Sequence, residues 1–258
     1  MSQQVKSKKR VNEHGEVFTA EREVNAMLDL VKQETERIDS RFLEPACGNG
    51  NFLAEVLRRK LSVVEDRYAK SQIEFERYAI VAVSSIYGVD ILEDNAIECR
   101  ERLYQIFENC YANLYKKAAN DACLRSVQFI LNRNILWGDA LDFTNPVTKA
   151  PIVFSEWSAV NGNMLKRRDF VFKFLVEKTH QFSMFNDQGS AAAIDEPVRD
   201  FPLVHFLKLS ESGFSGLGDL HINPPGESAM VHIRHGSIFL RIRRTKSLFA
   251  GELLNIVS

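Results

Sequence analysis

The chain of 258 residues is poor in the features that mark secreted, membrane-bound or metal-dependent proteins. Its four cysteines, Cys47, Cys99, Cys110 and Cys123, share no short paired spacing, which excludes a zinc-finger pattern and a disulfide framework. No apolar run reaches the roughly 20 residues needed to cross a bilayer. The basic stretch at Lys6, Lys8, Lys9 and Arg10 has no apolar segment after it, unlike a secretory signal. A soluble, cytoplasmic protein with no membrane partner is expected. The six histidines are scattered, with His232 and His235 near the end, and no metal is assigned. A formal net charge of −1 provides no overall positive field, so any grip on nucleic-acid phosphates has to be local or supplied by a partner. Internal repeats are absent. Hydrophobic content of 45% and charged content of 26% are those of an ordinary globular domain.

Two phosphate-binding signatures are also missing. There is no Gly-x-Gly-x-x-Gly for a dinucleotide and no Gly-Lys-Ser or Gly-Lys-Thr loop. What the chain does carry is Phe42-Leu43-Glu44-Pro45-Ala46-Cys47-Gly48-Asn49-Gly50-Asn51-Phe52. A short apolar strand ends in an acidic turn, and Phe52, Leu53, Val56, Leu57 and Leu61 then recur at helical spacing. Gly48 and Gly50 allow a tight turn and a close approach of ligand to backbone. Such strand-to-helix turns are ligand seats in open α/β sheets. Glu44 selects among ligands, because a carboxylate repels pyrophosphate and accepts hydrogen bonds from an ammonium group.

Residues Glu44 to Gly50 resemble the S-adenosyl-L-methionine loop of the adenine-N6 DNA methyltransferases of restriction-modification systems, with its Asp or Glu-Pro-Ala-Cys-Gly-x-Gly. The resemblance implies cofactor contacts from Glu44, Pro45, Ala46, Cys47, Gly48, Gly50, Asn51 and Phe52, with Cys47 a small buried loop residue. Upstream, Phe18-Thr19-Ala20 is similar to the Phe-Thr-Pro segment that lies across the cofactor, with Ala20 in place of proline. Thr19 is equally suited to N-cap the helix that follows, which carries Val24, Met27, Leu28 and Val31. Downstream, Val81 to Val89 reads as a β-branched strand closing at Asp90-Ile91. The resemblance gives Asp90 the ribose hydroxyls; alternatively it caps a helix. In Gly138-Asp139-Ala140-Leu141, Asp139 and Ala140 would meet the cofactor's adenine, or form an ordinary turn.

Methylating an exocyclic amine requires acceptors for its protons and an aromatic face for the flipped base. The family supplies these with Asp or Asn-Pro-Pro-Tyr or Phe after its fourth strand. Here that strand is expected at Pro151-Ile152-Val153-Phe154, and Ser155-Glu156-Trp157 follows it without the prolines. Trp157 would stack on the base, or only pack. The alternative pocket is Asn223-Pro224-Pro225, where Gly226 replaces the aromatic and the four residues also make a good turn. A third possibility is that DNA is read, and the base pocket supplied, by a second polypeptide. The implied function is that of an adenine-N6 DNA methyltransferase or its cofactor-binding subunit. An inactive cofactor-binding partner, or a methyltransferase acting on RNA or protein, is the alternative.

The expected architecture is α/β: a Rossmann-like three-layer methyltransferase sandwich with a mostly parallel central sheet and a terminal antiparallel hairpin. Residues 1–21 form an N-terminal segment crossing the cofactor site, 22–213 the catalytic domain, and 214–258 a hairpin extension. Helices are expected over 22–35, 52–68 and 95–117, with an inserted helical segment at 72–79. A third strand is expected over 128–136, and hairpin strands over 230–234 and 237–243. Basic residues cluster at 6–10, at Lys166-Arg167-Arg168 and at Arg241, Arg243, Arg244 and Lys246. The middle cluster is placed to meet DNA phosphates near the site, unless it is a solvated face.

Overall fold

Three short parallel strands form the centre of the protein: β1 (Arg41–Glu44), β2 (Ile86–Asp90) and β3 (Ile135–Trp137), in the order β3-β2-β1. The computed structural model describes residues 6–8, 10, 19–176 and 197–211, and the backbone of 237–239. Leu43 lies opposite Tyr87, and Asp90 opposite Trp137. Every residue of β2 is buried, as expected of a central strand covered on both faces.

Each crossover between these strands contains two helices. A short helix, α1 (Glu21–Leu30), and a single turn, α2 (Lys32–Thr35), precede the sheet. Between β1 and β2 lie α3 (Asn51–Tyr68) and α4 (Gln72–Ser84), and between β2 and β3 lie α5 (Glu93–Tyr115) and α6 (Asp121–Asn134). Their apolar faces follow helical spacing: Leu53, Val56, Leu57, Leu61 and Val64 on α3, and Cys99, Leu103, Phe107 and Tyr111 on α5, are buried in one core with Phe42, Ile86 and Ile135.

Two expected strands are shorter than their β-branched composition suggests. Residues 81–84 continue α4, where Ala79, Ile80, Ala82 and Val83 are fully buried. Residues 128–134 complete α6, whose N-terminus is capped by Asn120 accepting from the Ala122 amide at 2.9 Å. In both segments burial at i, i+3 and i+4 outweighs the strand propensity of Val and Ile. Asn134 then ties the two turns together, its Nδ2 donating to the Ser84 and Ile86 carbonyls at 3.1 Å each.

The expected fourth strand does not join the parallel sheet. Residues Val153–Ala159 form β4, which turns through Gly162 (φ 67°) and pairs antiparallel with β5 (Met164–Val171), from Val153 opposite Val171 to Ala159 opposite Leu165. Two further pieces, β6 (Arg199–Asp200) and β7 (Val204–His205), pair with β5. The reason is visible in the side chains. Phe154 packs edge-to-face against Tyr87 of β2 (5.4 Å) and against Phe172 (5.1 Å), so this ribbon closes the sheet face opposite the helices. The far edge of β1 is taken by β8 (Ser237–Phe239), with Arg41 opposite Ser237 and Leu43 opposite Phe239. That pairing is parallel; the other strand of the expected hairpin, 230–234, and residues 240–243 lie outside the described residues. Among the described residues no helix is long and apolar enough to cross a membrane.

Candidate functional site

The turn between β1 and α3 sits at the carboxyl ends of the parallel strands, and β2 holds it in place. The Cys47 amide donates to the Val89 carbonyl at 2.9 Å, and the Gly48 amide donates to Asp90 Oδ2 at 2.8 Å. Gly48 (φ 52°) and Gly50 (φ 83°) occupy the left-handed region, where a side chain is strained. A Cβ on Gly50 would lie 2.6 Å from Cys99 Sγ, so the turn lies directly on α5. Gly88 is the matching feature in β2: a Cβ there would come within 2.9 Å of Leu53 and 3.1 Å of Cys47.

Asp90 is the hub. Besides the Gly48 amide on Oδ2, its Oδ1 accepts from the Leu92 amide at 2.9 Å and from Asn95 Nδ2 at 3.2 Å. The Gly138 amide donates to the Asp90 carbonyl at 2.9 Å, which brings Asp139 and Ala140 to the same end of the sheet. Asp139 also forms a turn of its own, Oδ1 accepting from the Leu141 amide at 2.8 Å. The Ile91 carbonyl accepts from Trp137 Nε1 at 3.0 Å. The N-terminal segment reaches the site as well, since Asn51 Nδ2 donates to the Thr19 carbonyl at 3.0 Å. Thr19 is not the helix cap; Ala20 holds that position with no side-chain hydrogen bond. Phe18 lies outside the described residues.

Glu44 is only 7% exposed, and its Oε2 accepts no hydrogen bond from any described residue. Burial, with Asp90 close by as a second cause, pushes its carboxyl up to about 8. The Asn49 Oδ1 is likewise buried without a donor. Cys47 is held well above the ordinary thiol range by its hydrogen bond with Cys99 and by burial, which fits a packing residue and not a nucleophile. Asp94, at the start of α5, is pulled down to about 2, first by the hydrogen bond from Arg10.

Ser155, Glu156 and Trp157 are not brought to this turn. Glu156 pairs with Arg41, the first residue of β1, at 2.5 Å, and the turn begins beyond Glu44, about 10 Å along the strand. Ser155 Oγ donates to Asp169 Oδ1 at 2.7 Å and accepts from Arg167 Nε at 3.1 Å. Trp157 is a core residue, edge-to-face with Phe129 at 6.1 Å and donating from Nε1 to Asn134 Oδ1 at 3.0 Å, at the amino end of β2. Of the two roles expected of Trp157, stacking on a base or packing, the structure shows packing: its ring faces α6. Asn223, Pro224 and Pro225 lie outside the described residues.

The basic cluster Lys166-Arg167-Arg168 is likewise occupied. Lys166 pairs with Asp200, Arg167 with Asp169 at 2.6 Å, and Arg168 with Glu156 at 2.7 Å. Alternation along β5 buries Arg167 against Asp169, Phe201 and Trp157, so its charge is satisfied inside the fold. Two site residues carry no signal in the sequence: Asn49, in the variable position of the glycine turn, and Asn95, a buried polar residue one helical turn beyond Asp90. Among the described residues no group of three or more His, Cys, Asp or Glu side chains could hold a metal ion. No family model, curated protein or solved structure matches the chain at a significant level.

Proposed function

We propose that the chain binds S-adenosyl-L-methionine and belongs to an adenine-N6 DNA methyltransferase, contributing the cofactor half of that enzyme. The observation that carries the proposal is the buried Glu44 carboxyl group, whose Oε2 has no hydrogen-bond partner among the described residues, beside Asp90 and two left-handed glycines. A buried acceptor without a donor costs about 1–3 kcal/mol, and a ligand with a cationic amine relieves that cost in a way that a phosphate cannot. Asn49 Oδ1 adds a second acceptor beside the two left-handed glycines, Gly48 and Gly50. Glu44 would take the ammonium group, Asp90 the ribose, and Asp139 with Ala140 the adenine.

The cofactor when bound supplies an electrophilic methyl group for direct transfer to nitrogen. The chain's own residues orient it: Asp90 is fixed by the Gly48 and Leu92 amides, and the turn is fixed by Val89. Glu156 pairs with Arg41 and Trp157 packs on Phe129 and Asn134, away from the turn, which favours a split arrangement, with DNA recognition and the base pocket on a second polypeptide. An inactive cofactor-binding partner, and transfer to RNA or protein, are the competing readings.

Calorimetric titration with S-adenosyl-L-methionine tests the first step. Transfer of labelled methyl to unmethylated DNA, by the chain alone and with its genomic neighbour's product, tests the second. Binding with transfer only in the pair establishes the split enzyme. Absence of any binding sinks the reading of Glu44 to Gly50.

A further inference from the structure

Asn95 is a polar residue with 1% exposure, placed on α5 between two sets of charges. On one side its Nδ2 donates to Asp90 Oδ1 at 3.2 Å. On the other its Oδ1 accepts from Lys6 Nζ at 2.9 Å and from Arg10 at 3.1 Å. The orientation of the amide follows from chemistry. Lysine and arginine only donate, so the amide oxygen must face them and the NH₂ must face the carboxylate. The same two cations are anchored on α5 by Asp94, and Lys6 also by Glu98.

Asp90 itself has two oxygens with unequal loads. Oδ1 accepts from the Leu92 amide and from Asn95, while Oδ2 accepts from the Gly48 amide. With two donors Oδ1 is filled, whereas Oδ2, with the Gly48 amide as its one donor, retains a lone pair. We infer that Asn95 is a positioning residue for cofactor binding: held by Lys6 and Arg10, it fills Asp90 Oδ1 and thereby aims Oδ2 at a ribose hydroxyl. The N-terminal segment thus acts on the ribose without touching it. This rests on the adenosyl-cofactor reading of the site and names the determinant of its ribose affinity.

The test compares two probes, S-adenosylhomocysteine and its 2′,3′-dideoxy analogue, titrated calorimetrically into the full chain and into Asn95→Asp. The substituted carboxylate can still pair with Lys6 and Arg10 but repels Asp90. Affinity for the ribose-bearing probe should fall by about 10-fold, while the dideoxy analogue, lacking the hydroxyls, changes by less than about 2-fold. A loss shared equally by both probes, or no loss for either, overturns the inference. A second variant, Lys6→Ala with Arg10→Ala, changes only partly exposed side chains and guards against misfolding of the first. It should show the same selective loss at smaller size, and unchanged selectivity overturns the role of the N-terminal cations. If the unsubstituted chain binds neither probe, the adenosyl-cofactor reading fails instead.

Discussion

Replacing Glu44 by Gln tests the electrostatics of the site without any ligand. The carboxyl is buried, has Asp90 as its charged neighbour, and is raised to about 8. A raised carboxyl binds its proton more tightly in the folded chain than in the unfolded one. Its contribution is therefore fully present below the unfolded value, 4.5, and is lost as pH rises through 8. Integrating one proton between pH 5 and pH 9 gives a loss of roughly 4 kcal/mol attributable to Glu44, at about 1.4 kcal/mol per pH unit. Glutamine has nearly the shape of the protonated acid and does not titrate. The Glu44→Gln protein should match the parent near pH 5 and exceed it increasingly toward pH 9, by roughly 10 °C in melting temperature for a domain of this size. Urea unfolding at five pH values measures the divergence directly. Parallel curves for the two proteins would refute the reasoning, because they would mean that Glu44 is already ionised and solvated in the folded state. The same logic reaches the ligand: an ammonium group on Glu44 lowers its pKa, so cofactor binding at pH 7 should release close to one proton. Titrations in two buffers of different ionisation enthalpy read that release.

Other substitutions separate packing from function. Gly50→Ala should destabilise by about 2–3 kcal/mol, from the left-handed φ together with the overlap on Cys99. The same change in a Cys99→Ala background should recover only the overlap part, and equal losses in both backgrounds would mean that the turn does not rest on α5. Trp157→Ala should cost roughly 3–5 kcal/mol in chemical unfolding, leaving Asn134 Oδ1 without its donor. Cofactor affinity of the folded fraction should stay the same, and a specific loss of binding would return Trp157 to the site. Lys60 is fully buried, donating to the Ile38 and Ser40 carbonyls and to Ser85 Oγ, and burial lowers its pKa to about 7. Lysine lowered by burial is relieved as pH rises, so the parent should gain about 1.4 kcal/mol per pH unit over Lys60→Met between roughly 7 and 10. A pH-independent difference between the two would place the amine in water.

The turn at residues 44–50 was readable because its chemistry is local: glycine where φ is positive, an acid at the end of a strand, a helix of clear period behind it. Asp90 and Asp139 were readable by their order along the chain, and β2 does bring them to one end of the sheet. What escaped was decided at long range. Residues 81–84 and 128–134 look like strands by composition and are helical because each buries one face against the other crossover's helix, information carried by Phe75, Ile80, Val127 and Ile130 together. Trp157 and Arg167 look like site residues because aromatic and charged residues attract attention. Their partners, Asn134 and Ser155, are brought to them only by the antiparallel ribbon that covers the second sheet face.

That ribbon has a functional consequence. In the family that the turn resembles, the base-holding segment follows a strand of the central sheet, so it emerges where the cofactor's methyl group is presented. Here the chain leaving β3 goes to the opposite face and runs from Phe143 through Phe154 to Phe172 as an aromatic seam. The edge of β1 is taken by Ser237–Phe239. Ser155-Glu156-Trp157 therefore lacks the strand-then-loop order that puts acceptors beside a methyl donor, and Asn223-Pro224-Pro225 lies outside the described residues. On the proposed cofactor reading, the amine's acceptors have to approach the carboxyl end of β1 from elsewhere than Ser155-Glu156-Trp157. If the chain alone methylates DNA, that topological argument is wrong. If Glu44→Gln also abolishes transfer by the reconstituted pair, the cofactor half has been correctly placed.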